Sequence, residues 1–175
     1  MRCINNSLFR RVQLQLLMNL TARAFQLPTI HIWQLAHHAA LRKYTDFTRE
    51  KLSTGADDEL LKRMNSEAYK MGRLLRILFL VRSEDYAQRI VQALYRNIAI
   101  NMSFAADGRI CFHHCSFSKH YTPTVCRAAS ALDDGIIRGL TGRQSSRLCF
   151  SQRITEGCDC CLAKFEQPNK NNQHI

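Results

Sequence analysis

The chain changes hydrophobic rhythm once, near its middle. Through the first half, apolar residues return every third or fourth position, the spacing that aligns them on one face of a helix. Leu16, Leu20 and Ala24 step in fours, Leu17 widens the stripe, and together they predict a helix over 6–25. Pro28 ends it or sits in the next turn, and Thr29 offers a cap for a second helix over 30–52. Trp33, Ala36, Ala40, Tyr44 and Phe47 form the expected buried face of that helix, with His37 and His38 as ordinary surface or satisfied side chains. After the break at Ser53-Thr54-Gly55, Asp57 and Asp58 favour a helix start. Leu61, Met64, Ala68, Met71, Leu75 and Leu78 then draw one long apolar stripe, with Lys62, Arg63, Lys70, Arg73 and Arg76 on the other side. Ser83 caps a fourth helix over 84–96 that turns Tyr86, Ile90, Val91 and Leu94 inward.

From residue 98 the period falls to two. Ile98, Ile100, Met102 and Phe104 alternate with small or polar residues, Asp107-Gly108 supplies turn chemistry, and Ile110, Phe112 and His114 alternate again. A simple alternation places Cys111, His113 and Cys115 together on the other face of that strand. Thr122-Pro123 is a strong helix start, Val125, Ala129, Leu132, Ile136 and Leu140 follow at helical spacing, and Gly142 ends the run. Leu148, Phe150 and Ile154, the Glu156-Gly157 turn, then Cys161, Ala163 and Phe165 read as a second hairpin. The prediction is an α+β fold. A helical region over 1–96 precedes a hairpin-helix-hairpin over 97–166 that forms a four-stranded antiparallel sheet, in one compact domain with a disordered polar tail over 167–175.

Composition adds charge to this picture. The 175 residues carry a formal charge of +11. That favours an anionic partner, and a small anionic molecule is the first expectation. Nucleic acid is a weaker candidate, because it requires the scattered basic residues to converge on one continuous stripe. No apolar run is long enough to span a bilayer, and Arg10, Arg11, Gln13, Gln15 and Asn19 interrupt any leader-like segment. No membrane partner is expected. The eight cysteines are therefore read as thiols of a soluble, cytoplasmic protein rather than as a disulfide frame. Nothing in the sequence fixes an oligomeric state.

Candidate chemistry gathers in two stretches, 109–120 and 157–161. Cys111, Cys115, Cys158 and Cys160, with His113 nearby, are the types that hold zinc, although their spacings fit a zinc knuckle poorly, and no metal is assigned. A cysteine nucleophile needs a cation or imidazole beside it. Cys115 has His113 and His120 close in sequence, and Asp133 lies on the following helix in reach of orienting a histidine. The competing reading of each cysteine is a small buried hydrophobe. No phosphate-binding glycine loop, zinc-protease helix or nucleophile elbow is present.

Cys115-Ser116-Phe117, Cys126 with Asp133, Arg153, and Gly157-Cys158-Asp159-Cys160-Cys161 occur in an order that resembles the L-2-amino-thiazoline-4-carboxylic acid hydrolase family. More distantly, that order resembles the small-molecule-binding domain of the four-vinyl reductase type. The resemblance covers roughly the last third of the chain; Ser116 stands where the pattern has proline, and Cys158 where it has aspartate. It implies hydrolytic opening of a cyclic thiazoline carboxylate to an N-carbamoyl-cysteine. Cys115 with His113 or His120 would stand at the reacting centre, Asp133 as orienter, and Arg153 and Cys161 at the substrate. A non-catalytic small-molecule sensor on the same scaffold is the alternative. A buried apolar pocket favours sensing, and an open cleft lined by Cys, His and Arg favours catalysis.

Overall fold

The computed structural model describes residues 7–167, so the expected tail beyond Gln167 and the first residue of the first helix lie outside the described residues. Helices come first: α1 (Ser7–Ala24), α2 (His37–Leu52), α3 (Asp58–Leu78) and α4 (Glu84–Asn97). Strands β1 (Ile100–Phe104) and β2 (Arg109–Cys115), helix α5 (Pro123–Thr141), and strands β3 (Arg147–Gln152) and β4 (Cys161–Glu166) follow. The four strands form one antiparallel sheet in the order β1-β2-β4-β3, the α+β arrangement expected from the change in period.

Local chemistry explains most of the boundaries. Asp57 accepts the Leu60 N–H at 2.7 Å to open α3, Ser83 accepts the Tyr86 N–H to open α4, and Thr122 accepts the Val125 N–H to open α5. Gly142 closes α5 in the left-handed conformation at φ +80°, where a side chain is disfavoured. Two arginines of α3 serve as caps for other helices. Arg63 Nε donates to the Ala24 carbonyl at the end of α1, and Arg76 donates to the Leu140 carbonyl at the end of α5.

The inner face of the sheet, carrying Ile100, Met102, Ile110, Phe112, Leu148 and Ala163, packs against α4 and α5, and α3 lies behind α5. The α3–α5 contact is unusually close. A Cβ at Gly72 would stand 2.4 Å from the Ile136 carbonyl oxygen, one at Gly135 the same distance from the Asn65 oxygen, and one at Gly139 the same distance from the Tyr69 oxygen. Ala68-x-x-x-Gly72 faces Gly135-x-x-x-Gly139, and the two helices run parallel, backbone against backbone.

Several sequence expectations need correction. The second helix begins at His37, not residue 30, and Thr29 does not cap it. Gln15 of α1 holds the intervening segment instead: its Oε1 accepts the Ile32 and Trp33 N–H groups, and its Nε2 donates to the Ile30 carbonyl. That anchoring buries Ile32 completely, leaves Trp33 51% exposed and turns Ala36 outward. On α1 the buried face runs through Leu14, Leu17, Met18 and Leu20, so Leu16 points out. Leu78 is also exposed, where the stripe of α3 passes the edge of its neighbours. Residues 98 and 99 form the turn that follows α4, with Ala99 at φ +59°, and β1 starts only at Ile100. Ile154 sits in a short 3-10 turn between β3 and β4 instead of extending β3.

Candidate functional site

A bulge in β2 decides where the cysteines point. Along the β1–β2 pair, Met102 faces Phe112, but Asn101 faces His114 and Ile100 faces Cys115. His113 is the extra residue, and one extra residue inverts every side chain beyond it. The expected trio of Cys111, His113 and Cys115 on one face is therefore split. Cys111 and His113 stay on the outer face, where His113 Nε2 meets Ser103 Oγ at 2.7 Å and Nδ1 meets Cys111 Sγ at 3.5 Å. Cys115 turns inward, beside Ile100, and lines an interior cavity.

That cavity has a volume of about 100 Å³ and is walled by residues of all five helices, the ends of β1 and β2, and the segment that joins β2 to α5. Leu17, Leu75, Leu94, Ile100, Leu132 and Ile136 make most of its surface apolar. One end is polar: Asp133 and Cys126 of α5, Tyr95 of α4, Tyr44 of α2, Tyr121 and Cys115 meet there. The Tyr95 hydroxyl donates to Asp133 Oδ1 at 2.8 Å. Tyr44 shares a 3.3 Å hydrogen bond with Thr21 Oγ1, and the Tyr121 hydroxyl bonds Thr48 Oγ1. Asp133 is surrounded by protein, and the surface it keeps open faces the cavity.

This enclosure sets the acid–base character of the polar end. Burial raises the Asp133 carboxyl from 3.8 to about 6, against the opposing effect of the Tyr95 hydrogen bond. Burial raises the Tyr44 hydroxyl to about 12 and pushes those of Tyr95 and Tyr121 well above the ordinary tyrosine value. The Cys115 thiol rises to about 12, chiefly through burial, with the Asp133 charge adding to it. Cys126 is raised for the same first reason. At neutral pH these cysteines are thiols, and the donor groups of the site are hydroxyls and thiols around one carboxylate.

The remaining predicted site residues fall elsewhere. His120 is exposed, beside a second groove that it shares with His38, Arg42 and Asp46 of α2. Arg153 stacks its guanidinium 5.0 Å over the Phe150 ring and faces an open groove on the outer side of α5. Cys161 is buried opposite Phe112, and its sulfur accepts the Ile154 N–H at 3.3 Å. Its thiol is raised to about 11 by burial, but it is not part of the cavity wall. Cys115 and Cys161 thus share the inner side of the sheet without sharing a pocket, and Cys126 and Asp133 are electrostatic neighbours common to both.

The zinc candidates divide in the same way. Cys111 contacts the Cys160 thiol, whereas Cys115 lies on the opposite face of β2. Among the described residues no group of three or more His, Cys, Asp or Glu side chains gathers to hold a metal ion. All seven described cysteines are free. Tyr95 and Tyr121 were the residues with no sequence signal of a site. Tyr95 adjoins the apolar stripe of α4 and Tyr121 precedes a cap, so each passes for core or loop.

Asp134, next to Asp133, does a different job. Its Oδ1 accepts the Leu148 N–H at 2.8 Å and pairs with Arg138 Nε at 2.8 Å, and its Oδ2 accepts from Asn65 at 2.7 Å. It ties α3, α5 and β3 together, while Asp133 one residue away is held by Tyr95 alone among the described hydrogen bonds. No known family model matches the chain, and none of the curated proteins matches it significantly. Among the described residues, no helix is long and apolar enough to cross a membrane.

Proposed function

We propose that this protein is a small-molecule-binding domain whose ligand enters the cavity between the sheet and the helices and is held at Asp133. The supporting observation is the cavity itself: apolar walls with a single acidic group and its tyrosine partner at one end. About 100 Å³ suits a ligand of a few heavy atoms, since an engineered cavity of about 150 Å³ admits benzene. The head group that fits Asp133 is a hydrogen-bond donor, an amine above all. An anion would meet the carboxylate there, so the small anionic partner expected from the net charge has no counterpart in this cavity.

Binding without turnover is favoured over hydrolysis of a thiazoline carboxylate. Thiolate catalysis needs a depressed pKa, and Cys115 has the reverse. His113 and His120 are outside the cavity, on two different surfaces. Arg153 is also away from it.

Calorimetric titration with n-butylamine and n-butanol at pH 8 tests the reading. Binding of both is expected, with Asp133→Asn weakening the amine more than the alcohol. Ala129→Leu, which fills the cavity from α5, should abolish both. Failure of both probes to bind, or release of N-carbamoyl-cysteine from 2-amino-thiazoline-4-carboxylate with loss of that release in Cys115→Ser, would replace this function with the hydrolytic one.

A further inference from the structure

The face of α5 turned away from the cavity borders an open groove of about 1100 Å³ between α3, α5 and β3. Lys62, Arg73, Arg127, Arg138, Arg147 and Arg153 line it, against two acids, Asp58 and Asp134. Asp134 and Arg138 are consumed by each other and by Asn65. Arg127 pairs with Glu156 at 3.4 Å, an exposed and therefore weak contact. Among the described residues, Lys62, Arg73, Arg147 and Arg153 make no ion pair. Arg153 Nε is buried with no hydrogen-bond partner. Six of the 25 lysines and arginines of the chain thus line one groove, drawn from α3, α5 and the β3 region rather than from the helical half alone.

The cations form two banks. Because α3 and α5 run parallel, Lys62 lies level with Arg127, and Arg73 lies beside Gly139, next to Arg138. Arg153 precedes the 3-10 turn whose Glu156 reaches Arg127, so it joins the first bank. Arg147 adjoins Leu148, which is bonded to Asp134, and joins the second. Eleven residues separate the banks on each helix, or about 16 Å at 1.5 Å per residue.

We propose that this groove binds the phosphate backbone of a single-stranded nucleic acid. An isolated phosphate or carboxylate reaches one bank only. A strand stacked at about 3.4 Å per phosphate places four or five phosphates along the span. A lipid surface is flat and does not follow a concave floor. Apart from Arg138, four of the five cations are arginines, whose forked donors match phosphate oxygens in pairs. Ser66, Ser130 and Gln144 on the same walls add neutral hydrogen-bonding groups for sugar and base edges.

Fluorescence anisotropy with a labelled ten-residue oligouridine, from 50 to 200 mM salt, is the test. Log affinity should fall linearly with log salt for the full chain. Arg73→Gln/Arg147→Gln should lower the slope by about 1.4, at about 0.7 per lost contact to a single strand. Arg89→Gln/Lys119→Gln, two exposed cations outside the groove, should leave the slope unchanged. If the groove double variant does not fold, Lys62→Gln carries the test with a change of about 0.7. The proposal is overturned by no binding at 50 mM salt, by an equal slope change in the control, or by competition from tripolyphosphate, polyglutamate or a duplex as strong as that from unlabelled strand.

Discussion

The Tyr95 hydroxyl and the Asp133 carboxylate, 2.8 Å apart, join α4 to α5 across the polar end of the cavity. Tyr95 is the only side chain among the described hydrogen bonds that addresses Asp133. The hydrogen bond favours the ionised carboxylate, yet burial outweighs it and the acid ends up weaker than in water. A carboxylate in this position costs stability, which is the usual mark of a group kept for binding.

That cost has a pH signature. The Asp133 pKa is about 6 in the folded state, against 3.8 as its ordinary value. Between these values the folded state holds the extra proton, so stability declines as pH rises from about 4 to about 6 and stays lower above. At about 1.4 kcal/mol per unit the penalty at pH 7.5 is on the order of 2–3 kcal/mol. Asp133→Asn keeps an acceptor for Tyr95 and removes the charge. Urea denaturation should show the variant stabilised by roughly 1–3 kcal/mol at pH 7.5 and close to the parent protein at pH 4. A loss of stability at both pH values would mean that the carboxylate is held by contacts stronger than its desolvation.

Much of this fold is legible in the chain because local signals and packing agree. Capping residues mark α3, α4 and α5 directly, and the period-two runs give all four strands. The failures share a cause, which is a long-range contact invisible to local pattern. Gln15 captures the backbone of residues 30–33, so the start of the second helix is unwound by a side chain fifteen positions away. The site fails for a subtler reason. One bulged residue, His113, reverses Cys115 relative to Cys111, and no hydrophobic pattern marks the bulge because histidine and cysteine tolerate either face. Asp133 was identifiable as a candidate, but as a partner for histidine; its true partner is a tyrosine on a separate helix.

The α3–α5 interface gives a prediction in which two effects oppose. Glycine within a helix costs about 1 kcal/mol relative to alanine, so propensity alone makes Gly135→Ala stabilising. The added Cβ would lie 2.4 Å from the Asn65 oxygen and 2.6 Å from the Ala68 Cβ. Backbone cannot rotate away as a side chain can, and the helices must separate. Overpacking costs about 1–3 kcal/mol, occasionally more, and a clash with rigid backbone lies toward the upper end, above the propensity gain. Thermal melts should show a marked fall for Gly135→Ala and for Gly139→Ala. A rise in melting temperature for either would mean that the helices are further apart.

Leu132 probes the cavity wall from the same helix. It is 5% exposed and lies between the apolar stripe of α5 and the cavity. Leu132→Ala should cost about 2–5 kcal/mol, toward the lower figure because part of its surface already faces empty space. The same variant enlarges the cavity, and n-butylamine should recover part of the lost stability in proportion to its occupancy. A cost within experimental error would place Leu132 outside the packed core.

Thiol reactivity separates the two faces of the sheet. Cys111 and Cys160 meet on the outer face, where solvent and reagent have access, while Cys115 and Cys161 are held inward with their thiols pushed up to about 12 and about 11. A thiol reacts through its thiolate. At pH 8 the inner pair therefore has a vanishing reactive fraction in addition to its burial. Native protein treated with iodoacetamide and mapped by peptide mass spectrometry should be labelled at Cys160 and Cys111 well before Cys115 and Cys161. Adding urea past the unfolding midpoint should bring all four to similar rates. Cys115 serves as the internal check on the bulge. If β2 ran without it, Cys115 would lie beside Cys111 and be labelled with it in the native state, so rapid native labelling of Cys115 would refute the inward orientation and, with it, the thiol wall of the cavity.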